Sequence, residues 1–264
     1  MANKTKKENS TVAHTSMNAP QTLADSTFFK RLSFNLSEEQ IKFRDAIYNP
    51  NNKIIFVNAR AGSGKTTIAM ATACCMIEYG LYDQILYCFS LNNGFQNSLG
   101  LLPGGQQDKE MAFYEPCLQA LVECGYFPDK VVKELIPEGA NGVQSFVSCR
   151  SHTFLRGTNI DSRTILILDE CQNFYTDEIK KVLTRVKDGA KVIVIGHSGQ
   201  CDIISHPERT GFVPYLEWFE GREGVEVCEL KENYRGWVSR VADDFDIEKW
   251  KLRRKSEAEE NESN

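Results

Sequence analysis

Four short clusters in this chain hold side chains that can do chemistry: Asn58–Thr67, the acidic pair Asp169-Glu170, the run Gly196–Gln200 and the run Glu232–Arg235. The first follows an apolar stretch, Lys53–Val57, and opens a stretch with helical spacing, Ile68–Tyr79. A strand that passes through a glycine turn into a helix aims consecutive backbone N–H groups at an anion. A lysine at position 65 then reaches the outer phosphates of a nucleoside triphosphate, and the Thr66 hydroxyl can hold Mg²⁺. The candidate phosphate cradle is Ala61, Gly62, Ser63, Gly64, Lys65, Thr66 and Thr67. The strict pattern has glycine where Ala59 stands, and alanine is small enough to serve there.

The acidic pair closes the most apolar run of the chain, Ile165–Leu168. A carboxylate at the end of a buried strand needs a cation or hydrogen bonds. Asp169 is the candidate Mg²⁺ ligand with Thr66, and Glu170 the group that polarises an attacking water. Phosphoryl transfer needs alignment and charge more than covalent help. Gln200, after the apolar run Val192–Ile195, is placed to sense a γ-phosphate, although a plain surface turn would read the same way. Arg235 could stabilise transition-state charge as a finger, or be a solvated surface arginine. Gln40, ahead of the first strand, could bond an adenine edge, or be an ordinary exposed helical glutamine. The candidate catalytic set is Lys65, Glu170, Gln200 and Arg235.

These clusters must be positioned by regular elements. Ser37 and Gln40 form a capping-box pattern that starts a helix through Ile41, Phe43 and Ala46. Strands are predicted at Gln84–Ser90, Val143–Cys149, Arg163–Leu168, Lys191–Gly196 and Gly224–Leu230. Helices are predicted at Thr176–Lys187 and Asp243–Trp250. The stretch of about 91–142 has little sheet character and holds helical patches at Ala112–Glu123 and Pro128–Leu135. Strands alternating with helices imply an α/β fold, a mostly parallel sheet covered on both faces. The expected division is a flexible polar arm at 1–32, one domain at 33–250 carrying that insertion, and a charged tail at 251–264.

The chain has 264 residues, a net charge of −5 and 41% hydrophobic content, so its overall charge is not that of a basic nucleic-acid coat. No apolar run approaches the roughly 18 residues of a membrane span. The first residues contain no apolar signal segment, which predicts a cytoplasmic protein. Nine cysteines are scattered without C-x-x-C pairs, so buried reduced thiols are expected rather than a zinc site.

The ordered set G-S-G-K-T, L-D-E-C-Q-N, G-x-x-x-Q and N-Y-R is similar to the RecA-type motor core of superfamily-one helicases, and it resembles the PhoH family of ATPases more closely. Leu99–Gly104, Tyr114-Glu115-Pro116 with Ala120-Leu121, Phe154-Leu155-Arg156-Gly157 and Leu183-Thr184-Arg185 carry the closer likeness, which spans about Ser37 to Arg240. Four departures stand out. His197 and Ala59 replace a usual Asp and Gly, the Arg-Pro expected near Ser90-Leu91 is missing, and Gln119 stands where Asp is common. The change at His197 bears on hydrolysis more than on binding.

The resemblance implies a three-layer, RecA-like P-loop NTPase fold that uses ATP and Mg²⁺. It also implies a helicase-like motor or switch coupled to RNA or single-stranded DNA. The 29 residues after Arg235 are too few for a second RecA-type domain. The arginine therefore acts on its own site or comes from a neighbour in a homo-oligomeric ring, a hexamer by the family's habit. Candidate nucleic-acid contacts are Lys109, Arg150, Arg156, Arg163 and the Phe113-Tyr114 pair. The tail cluster Lys249, Lys251, Arg253, Arg254 and Lys255 is another. Surface charges and core aromatics are the plainer reading of the first group. Two other functional classes stay open at this stage. One is a P-loop kinase, against which the Asp169-Glu170 pair argues. The other is an ATP-gated scaffold with little turnover.

Overall fold

Alternation within each strand decides the layers of this molecule. The computed structural model describes residues 35–91, 106–137, 144–155, 157–199, 209–247 and 249–254, together with Leu23, Ser26, Phe29 and Leu32. Six strands form one sheet: β1 (Ile54–Ala59), β2 (Gln84–Phe89), β3 (Val147–Ser151), β4 (Thr164–Leu168), β5 (Lys191–Gly196) and β6 (Val225–Leu230). All pairings are parallel, in the order β3-β2-β4-β5-β1-β6. Such a sheet needs cover on both faces.

On one face Ile55, Val57, Ile165, Ile167, Ile193 and Ile195 pack under α1 (Glu38–Tyr48), α2 (Lys65–Glu78) and α3 (Gln106–Glu123). On the other face Ile54, Phe56, Leu166, Leu168, Val192 and Val194 meet Ile179 and Val182 of α5 (Thr176–Leu183) and Phe212 of α6 (Phe212–Phe219). A short α4 (Pro128–Val131) follows α3, and α7 (Trp237–Asp243) follows β6. This is the three-layer, RecA-like P-loop NTPase arrangement, with the inserted segment largely helical where it is described. Among the described residues, no helix is long and apolar enough to cross a membrane.

Several element ends differ from the sequence expectation, each for a local reason. The helix predicted to Lys187 stops at Leu183. Beyond it, Arg185 and Lys187 pair through their backbones with Ile160. The predicted strand at Val143–Cys149 is displaced to Val147–Ser151, where Glu134 accepts bonds from Cys149 N and Ser148 Oγ. The C-terminal helix starts at Trp237 rather than Asp243 and breaks at Asp244. Arg60 grips Asp243 and Asp244 there at 2.8 and 2.7 Å. A second helical stretch, 249–254, continues beyond the predicted end at Trp250 into the predicted tail.

Because the strands run the same way, their C-terminal ends share one edge, where α/β sheets bind ligands. Strand β5 lies between β1 and β4, so the residue after it, His197, sits between the glycine loop and the acidic pair.

Candidate nucleotide site

The loop between β1 and α2 is held from three sides. Arg60 N donates to Leu230 O (2.9 Å), Tyr234 N to Gly62 O (2.9 Å), and Gln40 Nε2 to Ser63 O (2.8 Å). Gly62 and Gly64 take φ of +71° and +78°, a left-handed region that side-chain-bearing residues rarely adopt. A Cβ on Gly62 would fall 2.5 Å from Asn233 Oδ1. Gly64 precedes α2 without a side-chain cap, which leaves the first-turn amides for an anion. The Ser63 hydroxyl is buried with no hydrogen-bond partner among the described residues.

The acids converge on this loop. Asp169 is 1% exposed, and its Oδ2 accepts from Thr66 Oγ1 and from Tyr87 Oη, both at 2.8 Å. Its Oδ1 accepts from Glu170 N at 2.8 Å. Burial pushes the Asp169 carboxyl upward, with the Glu170 charge adding to it and Lys65 opposing. Glu170 takes φ +52°, the one left-handed non-glycine among the described residues. Strain of this kind needs support from its surroundings. Here Lys65 Nζ lies 3.1 Å from Glu170 Oε1, and Gln172 Nε2 donates to Glu170 Oε2. The other end of Gln172 accepts from His197 N at 3.1 Å. One glutamine therefore ties the left-handed acid to the end of β5. Burial, and then the Lys65 charge, hold His197 below its usual value. Its Nδ1 accepts from Gly199 N at 2.9 Å.

Lys65, Thr66, Asp169 and Glu170 thus lie together at one edge of the sheet. Their donors fit Mg²⁺: a hydroxyl and a carboxylate, both hard oxygens, beside a cradle that would leave other positions to phosphate and water. Gln200 lies outside the described residues.

A cavity of about 490 Å³ opens from the cradle, within the range of a small-molecule site. Ala61, Gly62, Gly64, Lys65, Thr66 and Thr67 line one side, with Glu170 at the end. Tyr234 and Arg235 form a rim, so Arg235 faces its own chain's site. Asn233 orients that rim: its Oδ1 accepts from Arg235 N at 3.0 Å, and its Nδ2 donates to Ser239 Oγ at 2.9 Å. The inserted helix α3 supplies the opposite wall through Pro116, Gln119, Ala120 and Glu123. Glu123 Oε2 accepts from Thr67 Oγ1 at 2.7 Å.

Gln40 is not the exposed helical glutamine considered above. It is 2% exposed, with Oε1 accepting from Ser37 N (3.0 Å) and Nε2 given to Ser63 O. It lines the cavity but is engaged in fastening α1 to the loop. Sequence reasoning missed Gln172, Tyr87, Asn233 and Glu123. Gln172 and Asn233 lie inside quoted motifs, which was the available signal, whereas Tyr87 and Glu123 reach the site only through the fold.

Among the described residues, the first group of expected nucleic-acid contacts is engaged within the fold. Arg163 makes a two-pronged pair with Asp83 at 2.7 Å, Arg150 lies 3.7 Å from Glu134, Phe113 stacks on Phe89, and Tyr114 is buried. These side chains pack and pair within the fold. Lys249, Lys251, Arg253 and Arg254 are exposed on the last helical stretch. Arg156, Lys255 and the side chain of Lys109 lie outside the described residues.

The sequence profile of the family described as PhoH-like protein matches residues 35–239. A PhoH-like protein of Mycobacterium leprae (strain TN) is 31% identical over 192 residues, covering 72% of this chain and 51% of the relative. Protein PhoH of Escherichia coli (strain K12) is 29% identical over 196 residues, covering 74% and 52%. Protein PhoH2 of Bacillus subtilis (strain 168) is 28% identical over 199 residues, covering 73% and 42%. The chain therefore spans about half the length of the curated relatives it matches. Among solved structures, the large terminase of a thermophilic bacteriophage (crystal form 2) superposes with a TM-score of 0.48 at 12% identity, over 78% of this chain and 48% of that one.

Proposed function

As the chain belongs to the PhoH-like family, we propose that it binds ATP with Mg²⁺ in the cavity above Lys65 and hydrolyses it. The observation that carries this reading is the convergence of two distant sequence clusters on one cavity edge. Lys65 Nζ is 3.1 Å from Glu170, and Thr66 Oγ1 is 2.8 Å from Asp169.

In this reading Lys65 exchanges its bond to Glu170 for the β- and γ-phosphates as the triphosphate enters. The freed Glu170 carboxylate, held by Gln172, takes a proton from a water that attacks the γ-phosphorus. The bond from that phosphorus to the bridging oxygen breaks, leaving ADP and phosphate. Thr66 and Asp169 would hold Mg²⁺, which neutralises charge on the phosphates. Arg235 places positive charge at the rim, and Gln200 reads the presence of the γ-phosphate.

We further propose a polymer partner, RNA or single-stranded DNA, and a homo-oligomeric ring, a hexamer, with nucleotide near the contacts between copies. Trp237, Val238, Val241 and Phe245 are each more than half exposed in the segment that follows Arg235. Exposed apolar side chains this close in the chain call for cover, and a second copy of the chain could supply it near the site. The exposed basic helical end offers charge to a phosphate backbone. The test is phosphate release by the wild-type chain and by Lys65→Ala, with and without RNA and DNA oligomers, beside a mass measurement. Turnover stimulated by a single strand and abolished by Lys65→Ala supports the reading. Tight ATP binding without turnover would make the chain an ATP-gated scaffold instead.

A further inference from the structure

Glu123 is a puzzle in a triphosphate cavity. It ends α3 as an exposed carboxylate on the cavity wall, one helical turn beyond Gln119, which lines the same wall. A negative charge there repels a polyanion unless the ligand brings neutral donors to meet it. In a nucleoside triphosphate the groups of that kind near the phosphates are the sugar hydroxyls. An ionised carboxylate accepts two hydrogen bonds side by side, a match for a vicinal diol.

The order of residues along the first turn of α2 sets the direction of the ligand. Lys65 faces Glu170, Thr66 faces Asp169, and Thr67 faces Glu123. The acids mark the end where phosphate is cleaved. The sugar, at the other end of the phosphate chain, therefore falls on the Thr67 side. Glu123 is held ready there by the 2.7 Å bond from Thr67 Oγ1. We infer that Glu123 is a specificity-determining residue: it accepts the ribose 2′- and 3′-hydroxyls and makes the site select ribonucleoside over deoxyribonucleoside triphosphates. The inference rests on the ATP reading above. It gives the inserted helix a part in choosing the ligand: α3 both walls the cavity and tests the sugar. A purely structural role, in which Glu123 only ties α3 to α2, would weaken every nucleotide to the same extent.

Calorimetric titration of the full chain separates these roles. ATP, 2′-deoxy-ATP, 3′-deoxy-ATP and inorganic tripolyphosphate are each titrated with Mg²⁺ into wild type, Glu123→Gln and Glu123→Ala, with circular dichroism to verify folding. Wild type is expected to bind ATP about tenfold more tightly than either deoxy form, the worth of a hydrogen bond to a charged group. In Glu123→Ala that ratio falls toward one, while tripolyphosphate binds as well as before or better. Glu123→Gln keeps an acceptor for Thr67 and lies between. Equal affinity for ATP and the deoxy forms in wild type, with tripolyphosphate still bound, overturns the inference alone, as does a ratio that survives Glu123→Ala. Failure of wild type to bind either ATP or tripolyphosphate overturns it together with the reading of the cavity.

Discussion

Thr66 Oγ1 and Asp169 Oδ2 lie 2.8 Å apart, joining the first turn of α2 to the end of β4. Tyr87 Oη holds the same carboxylate oxygen from β2. The carboxylate is thereby fixed at the mouth of the phosphate cradle although burial disfavours its charge.

That arrangement makes Asp169→Asn informative. The amide retains the size of the side chain and can keep one of these bonds, but it loses the charge that would hold Mg²⁺. Mg²⁺-dependent turnover should fall by roughly 10²-fold or more, the scale of removing one electrostatic contact to a transition state. Thermal stability should change little, because relief from burying the charge is offset by lost hydrogen bonds from Thr66, Tyr87 or Glu170 N. Steady-state phosphate release and a thermal melt check both arms.

Gln172 should act through Glu170. Its side chain spans Glu170 Oε2 and His197 N, so Gln172→Ala frees the left-handed acid to move. The expected result is a lower kcat with KM for ATP little changed. A KM rise with kcat preserved would show that Gln172 serves binding instead.

Gly62→Ala should damage the cradle directly. Its Cβ would sit 2.5 Å from Asn233 Oδ1, at a φ of +71°. Backbone strain of this kind costs about 1–3 kcal/mol. Denaturant unfolding should report that loss, and ATP affinity should fall with it.

Lys191 predicts a pH signature far from the site. It is buried at the start of β5, where Nζ donates to Asn49 O at 2.6 Å. Burial lowers it from 10.5 to about 8. A lowered lysine costs the fold stability while it is charged. The cost is complete below about pH 8 and fades as pH rises toward 10.5. Relative to Lys191→Met, wild type should therefore gain up to about 3 kcal/mol across that window. A flat difference between the two proteins across that window would contradict the assignment.

The residues that gather in the candidate site were more legible than the scaffold that gathers them. Lys65, Thr66, Asp169 and Glu170 announce themselves because a glycine turn between strand and helix, and an acid at the end of an apolar run, are local patterns. The placement of β5 between β1 and β4 is not local; His197 was pointed to only by the Gly196–Gln200 run and the family resemblance, not by any local pattern of strand order. The inserted helix α3 read as helical patches carrying family motifs and a candidate stacking pair, Phe113-Tyr114; its part in walling the cavity was not legible, because its cavity face is defined by what α2 presents to it. Gln40 was visible as a capping residue, yet its second bond, to Ser63 O, depends on how α1 packs beside the loop. The C-terminal helix was misplaced because its register is set by Arg60, far away in sequence.

The central claim is that the triphosphate held around Lys65 is cleaved with Glu170 as the base. Glu170→Gln tests it most directly, with ATP affinity and phosphate release measured on the same preparation. The account predicts affinity within a few-fold of wild type and turnover reduced by roughly 10²–10⁴-fold, the contribution of a positioned general base. Turnover that survives the substitution at unchanged affinity would contradict it.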